Sequence, residues 1–128
     1  MGSTARAKAV EKEKELVWVG RAYKELNALS EDLRDVFGHA LSEAQQGRRP
    51  ANSKSMKGDL RDVEEIIGND KSGTYRTMYT VKMKGVVYVL GSFQKRSKSG
   101  IATPAEDLDR IRARLKVARA NYKNRSDY

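Results

Sequence analysis

The chain has 128 residues, 34% of them charged and 38% hydrophobic, with a formal net charge of +9. That length suits one domain around a thin core, and the absence of cysteine excludes disulfides and thiolate metal sites. No apolar run approaches the roughly 18 residues of a membrane span, and residues 1–15 lack the apolar centre of a secretory signal; the expected location is the cytoplasm.

Taken in chain order, residues 1–14 alternate Lys and Glu and read as a flexible or helical tail, so the expected domain spans 15–123, with 124–128 as a second tail. Leu16-Val17-Trp18-Val19 reads as a short buried strand closed by Gly20. Ala22, Leu26 and Leu29 then follow helical spacing. Ser30 is suited to cap a second helix, with Glu31 and Asp32 in its first turn, where the helix dipole favours anions. Leu33, Val36, Phe37, Ala40, Leu41 and Ala44 mark its apolar face, and Gly47 ends it. Arg48 opens a polar loop expected to run to about Gly58.

The period then changes. A strand is expected over Asp62–Ile67, followed by a turn cluster over Gly68–Gly73 and an alternating strand from Thr74 to Met83. Tyr75, Thr77 and Tyr79 share one face of it, while Arg76, Met78 and Thr80 share the other, more polar one. Lys84-Gly85 reads as a hairpin turn. Val86–Leu90 is apolar on both faces and therefore central. In this register Arg76 falls opposite Phe93. Thr103-Pro104-Ala105-Glu106 has the form of a capping box with proline at the first helical position, and Leu108, Ile111, Leu115, Ala118 and Tyr122 form the buried stripe behind it. The order strand, two helices, three strands, helix predicts an α+β domain.

The charge is unevenly placed. Between Lys71 and Pro104 there is no Asp or Glu, while Lys71, Arg76, Lys82, Lys84, Lys95, Arg96 and Lys98 are all cationic. Gln94–Gly100 follows the central strand directly, so polar and cationic groups there are both anchored and exposed. Phe93 is positioned to stack on a base, Arg96 to grip a phosphate with its planar fork, and Arg76 to converge on the same anion. Lys54 and Lys57 border the same groove from the preceding loop. The alternatives are a solvated basic loop and a strand arginine that discourages edge pairing. His39, the single histidine, lies on a helix margin away from these groups. No nucleophile elbow, glycine-rich phosphate loop or metal-ligand spacing accompanies them, so neither a cofactor nor a metal is expected.

Tyr75–Val81, Val87–Leu90 and the stretch Phe93–Pro104 together resemble the RelE/ParE/HigB toxin superfamily, and within it the phage-derived RelE-like (HigB-type) branch. The resemblance extends from Val17 to the last helix. It implies a RelE-like fold, in which a small antiparallel sheet (an N-terminal strand and a three-stranded meander) packs against two N-terminal helices and a C-terminal helix. It also implies a type II toxin that cuts mRNA on the ribosome without a metal, neutralised by a helix-turn-helix antitoxin encoded by an adjacent gene. By position, Arg76, Lys95 and Lys98 would be catalytic. Arg96, Phe93, Lys54 and Lys57 would bind RNA, and Arg112, Arg114 and Arg119 would meet the ribosome. The branch often carries a histidine where this chain has Gly91, which leaves acid–base work to a lysine or to the ribosome. The superfamily also includes ParE-type gyrase inhibitors that cut no RNA. A non-catalytic inhibitor of that kind, or a phage nucleic-acid-binding protein without nuclease activity, is the alternative.

Overall fold

The computed structural model describes residues 13–95 and 105–125. Strand β1 (Glu15–Trp18) leads into helices α1 (Ala22–Asn27) and α2 (Glu31–Gln45). Next come β2 (Ser53–Ser55), a 3-10 turn (Gly58–Leu60), β3 (Glu64–Asp70), β4 (Gly73–Thr80), β5 (Val86–Gln94) and α3 (Ala105–Arg125). The strands form one sheet in the order β1-β5-β4-β3-β2. β2 through β5 pair antiparallel, whereas β1 lies parallel to β5, with Val17 beside Tyr88. The sheet is therefore mixed rather than wholly antiparallel, because the chain crosses over the helices before the meander returns to β1.

Each face of the sheet has its own core. On one, Leu33, Phe37 and Leu41 of α2 and Ala22 and Leu26 of α1 pack on Ile66, Tyr79, Val87 and Val89. On the other, Ile111, Leu115 and Ala118 of α3 pack on Met78, Tyr88, Leu90 and Phe93. Fully burying an apolar side chain of this size contributes about 1.5–3 kcal/mol, so the two cores fix the order of the layers. Residues Val86 to Phe93 of β5 are all buried, as expected for a strand covered above and below. Helix α3 continues to Arg125, two residues beyond the expected domain end at Lys123. The Thr103-Pro104 half of the expected capping box lies outside the described residues.

The polar loop expected after Arg48 contains an edge strand. Ser53, Lys54 and Ser55 pair with Ile66, Glu65 and Glu64 of β3. Nothing in three short polar residues announces a strand; the open edge of β3 induces it. The hairpin turn is where expected, with the Val86 N–H donating to the Met83 carbonyl at 3.2 Å. The paired ladder, however, stops at Thr80, opposite Tyr88. It also carries a bulge, since Met78 pairs with Gly91 and Tyr79 with Val89, leaving Leu90 as the extra residue.

Ser30 caps α2 as expected, its Oγ accepting the Leu33 N–H at 3.3 Å. The same hydroxyl donates to Asp70 Oδ2 at 2.7 Å, while Asp70 Oδ1 accepts from the Ser72 N–H at 2.8 Å and the Ser72 hydroxyl at 2.7 Å. One carboxylate thus ties the start of α2 to the β3–β4 turn. The Ser72 and Ser30 side-chain hydrogen bonds hold Asp70 below its ordinary value of 3.8. A carboxyl with a depressed folded pKa adds stability above its unfolded value and loses it as pH falls through the folded one. Stability should therefore decline below about pH 4, and Asp70→Asn should flatten that decline in thermal melts recorded between neutral and strongly acidic pH.

Candidate functional site

Register and parity place Arg76, Phe93 and Lys95 on the α3 face at one end of the sheet. Arg76 pairs directly with Phe93, and the Lys95 N–H extends the ladder by donating to the Thr74 carbonyl at 2.8 Å. Lys54 and Glu65 form a cross-strand pair two strands away. The structure thus brings together Arg76, Phe93, Lys95 and Lys54 of the residues expected to form the site. Arg96 and Lys98 lie outside the described residues. Lys57 is exposed just before the 3-10 turn, and His39 is 78% exposed beside Glu43.

Two of these side chains differ in character from the expectation. The face of β4 that carries Arg76 is not its solvent side: Arg76 is 9% exposed and ion-paired with Glu65, which is fully buried. The second Glu65 oxygen, Oε1, lies 3.8 Å from the Lys54 ammonium. A single interior carboxylate is therefore shared by two cations. Phe93 is also 9% exposed and belongs to the core under α3, so it is a packing residue and not an open platform for a base. Glu65 was missed by sequence reasoning. Nothing local marks it out, since β3 reads Glu-Glu-Ile-Ile-Gly-Asn-Asp and only the fold buries this carboxylate, which must then have a partner. What the arrangement offers is preorganisation: cations fixed by a buried counter-charge need not reorganise when an anion arrives.

Position 91 is the second feature of this end of the sheet. Gly91 adopts φ +157, and a Cβ built there would lie 2.8 Å from Arg114 Nη1 and 3.0 Å from Glu25 Oε1. Arg114 donates from Nη1 and Nη2 to the two Glu25 oxygens, each at 2.8 Å, and from Nη1 to the Leu90 carbonyl at 2.9 Å. Glu25 Oε1 also accepts the Ser92 N–H at 3.2 Å. The ion pair thus satisfies the Leu90 carbonyl and the Ser92 N–H, the backbone groups that flank Gly91. Glycine at 91 is what leaves it room, and the side chain that the resemblance places there would occupy the same space. Arg114, expected to meet the ribosome, is instead an interior clamp with a side chain only 13% exposed.

The other α3 arginines are also engaged within the fold. Arg112 donates to Asp59 at 2.7 Å and Asp109 at 2.9 Å, Arg119 to Asp62 at 2.9 Å, and Arg110 to Asp107 at 2.8 Å. Hydrogen bonding to Arg112 holds Asp59 below its ordinary range and raises Arg112 itself. Most of these pairs are exposed, so solvent screening leaves them little weight in stability. Their clearer consequence is electrostatic, because the face expected to be cationic is interleaved with carboxylates. Among the described residues no group of acidic or histidine side chains could hold a metal ion, and no helix is long and apolar enough to cross a membrane.

Residues 24–116 match the family described as phage-derived protein Gp49-like. The chain belongs to that family. The Gp49-like family is a RelE-like toxin family, and the fold of one solved RelE toxin agrees. The isolated RelE toxin of E. coli has a TM-score of 0.51 and 26% identity, covering 77% of this chain and 98% of that one. The toxin–antitoxin complex RelBE2 of Mycobacterium tuberculosis has a TM-score of 0.46 and 17% identity, over 65% of this chain and 99% of that one. No curated protein gives a significant match. This Gp49-like chain therefore has the RelE fold: a mixed open sheet between a helix pair and a C-terminal helix. Its Arg76–Glu65–Lys54 group and its Gly91–Arg114–Glu25 clamp lie on the same side of that sheet.

Proposed function

We propose that this Gp49-like protein is the toxin of a type II toxin–antitoxin pair and acts as a ribosome-dependent mRNA endonuclease. The 2′-hydroxyl of one nucleotide attacks the adjacent phosphorus, the bond to the leaving 5′-oxygen breaks, and that oxygen takes up a proton. A 2′,3′-cyclic phosphate remains. Arg76, oriented by Glu65, would stabilise the charge that develops on the phosphorane oxygens. Lys95 would contact the scissile phosphate and Lys98 would assist proton transfer. Arg96, Lys54 and Lys57 would hold the flanking strand. The observation that carries this reading is the convergence of Arg76 and Lys95 at one end of a RelE-fold sheet, with Lys54 held against the carboxylate that orients Arg76. A helix-turn-helix antitoxin, encoded alongside, would neutralise the protein in the cytoplasm.

The test is primer extension on mRNA in a translating extract. Wild type should give ribosome-dependent cuts, and Lys95→Ala should weaken them by about 10²–10³-fold, the usual cost of losing one transition-state donor. Absence of cuts from the folded wild-type protein would sink the proposal. Two observations favour the second reading, a ParE-like binding inhibitor: Arg76 is already ion-paired with Glu65, and glycine stands at 91 where the resemblance places a histidine. Intact mRNA together with blocked gyrase supercoiling would establish that alternative.

A further inference from the structure

The opposite face of the sheet carries a pocket that the proposed reaction does not use. It has a volume of about 210 Å³ and lies where the end of α2 meets the segments flanking β1 and β4. Lys14, Arg48, Arg49 and Lys82 stand around it, over a floor that includes Tyr79 and Ala44, both 2% exposed. Its one lining carboxylate, Glu64, accepts from Arg49 at 3.0 Å and from the Ser55 hydroxyl at 2.9 Å. Arg48 faces Glu43 at 3.9 Å, a contact too long for a hydrogen bond. Lys14 is held in place by its backbone, since its N–H donates to the Gln45 carbonyl at 2.9 Å and its carbonyl accepts from Gln45 Nε2 at 2.8 Å.

A simpler explanation is that these cations offset the negative end of the α2 dipole. That end amounts to about half a unit charge, and the carbonyls of Ser42, Glu43 and Ala44 already accept N–H groups from Gln46, Gly47 and Arg48. Four cations exceed what the helix end requires. The contrast with α3 points the same way, because its arginines lie against Asp59, Asp62, Asp107 and Glu25 while this pocket gathers four cations against two carboxylates, Glu64 and the more distant Glu43.

We infer that the pocket binds phosphodiester groups of an RNA strand, as a second RNA contact remote from the Arg76 end. Its volume is below the roughly 300–1,000 Å³ of sites that enclose a drug-sized ligand, so it admits a phosphate or ribose of a passing chain and not a whole free nucleotide. Cations spread over three chain segments match successive phosphates better than a single carboxylate, and the arginine forks match phosphate geometry. The site rests on the RNA reading above and extends it.

The experiment compares Arg48→Glu/Lys82→Glu with Lys116→Glu/Lys123→Glu, which changes net charge equally on α3. Affinity for a single-stranded RNA oligonucleotide and for ribosomal RNA is measured across a salt series, and mRNA cutting is followed separately. The pocket variant should lose at least about tenfold in RNA affinity, and its salt slope should flatten by about 1.4, or 0.7 per lost phosphate contact. The α3 variant should lose clearly less. Which RNA loses more identifies the source of the phosphates. Thermal melts, with Arg48→Gln/Lys82→Gln as a milder version, exclude misfolding as the cause. Equal losses in both variants, unchanged RNA binding, no RNA binding by wild type, or a loss confined to an acidic protein partner would each overturn the pocket. A pocket effect in a wild type that cuts no mRNA would overturn the nuclease reading alone, and cutting without a pocket effect would overturn the pocket alone.

Discussion

Glu65→Gln should cost about 3 kcal/mol of stability and abolish any activity that depends on Arg76. Glu65 is fully buried and Arg76 is 9% exposed, and breaking a buried ion pair by removing one partner costs about 3–5 kcal/mol, because the other charge is left without compensation. Arg76→Ala should cost somewhat less, because Glu65 keeps the Lys54 ammonium 3.8 Å from its second oxygen. Loss of cutting in Arg76→Ala alone would therefore be ambiguous between chemistry and folding. Two further variants separate them. Glu65→Leu/Arg76→Met should recover most of the stability in urea unfolding, since apolar replacement of a buried pair is often neutral or better, yet remain inactive. Arg76→Lys should fold better than Arg76→Ala but cut poorly, because an ammonium lacks the planar fork. Single-variant losses below about 1 kcal/mol would show that the pair is solvated, contrary to its burial.

Gly91→Ala should be the most damaging single-methyl change in the protein, lowering the melting temperature by about 10 °C. Two costs add. A φ of +157 is a backbone conformation that side-chain-bearing residues rarely adopt, worth about 1–3 kcal/mol. The new Cβ also meets Arg114 Nη1 at 2.8 Å. That atom cannot swing aside cheaply, because it bonds both Glu25 and the Leu90 carbonyl. Gly91→His should be worse still, so restoring the residue expected from the resemblance would not restore a catalytic base. In an Arg114→Ala background the Gly91→Ala penalty should shrink to the backbone contribution, which a double-mutant cycle measures. An unchanged penalty would mean that backbone conformation alone requires the glycine.

The two ion pairs also mark where sequence reading stops. The Arg76 and Phe93 register was legible because a hairpin turn and a period of two are local, and the ladder does set them opposite each other. That register survives only because the Leu90 bulge realigns the ladder after Tyr79 and Val89, and the one local hint of the bulge is a glycine, Gly91, inside an otherwise apolar strand. Likewise Arg76 was legible as a cation of β4 but not as a buried one. Parity assigns a face, and only the docking of α3 and the arrival of Glu65 from β3 make that face interior.

What the sequence by itself determined is the set of elements and their faces: the Ser30 cap, the apolar stripes of α2 and α3, the two-sided burial of β5 and the acid-free cationic segment. Each follows from neighbours within a few residues. The tertiary structure decided which charges remain available. Arg114 meets Glu25 across 89 positions, Arg112 meets Asp59 across 53, and Arg119 meets Asp62 across 57. Pairing over such separations depends on how α3 lies across the sheet. For the same reason the cationic pocket is assembled from Lys14, Arg48, Arg49 and Lys82, residues that no local pattern connects. Charge composition is a property of the chain, but uncompensated charge is a property of the fold.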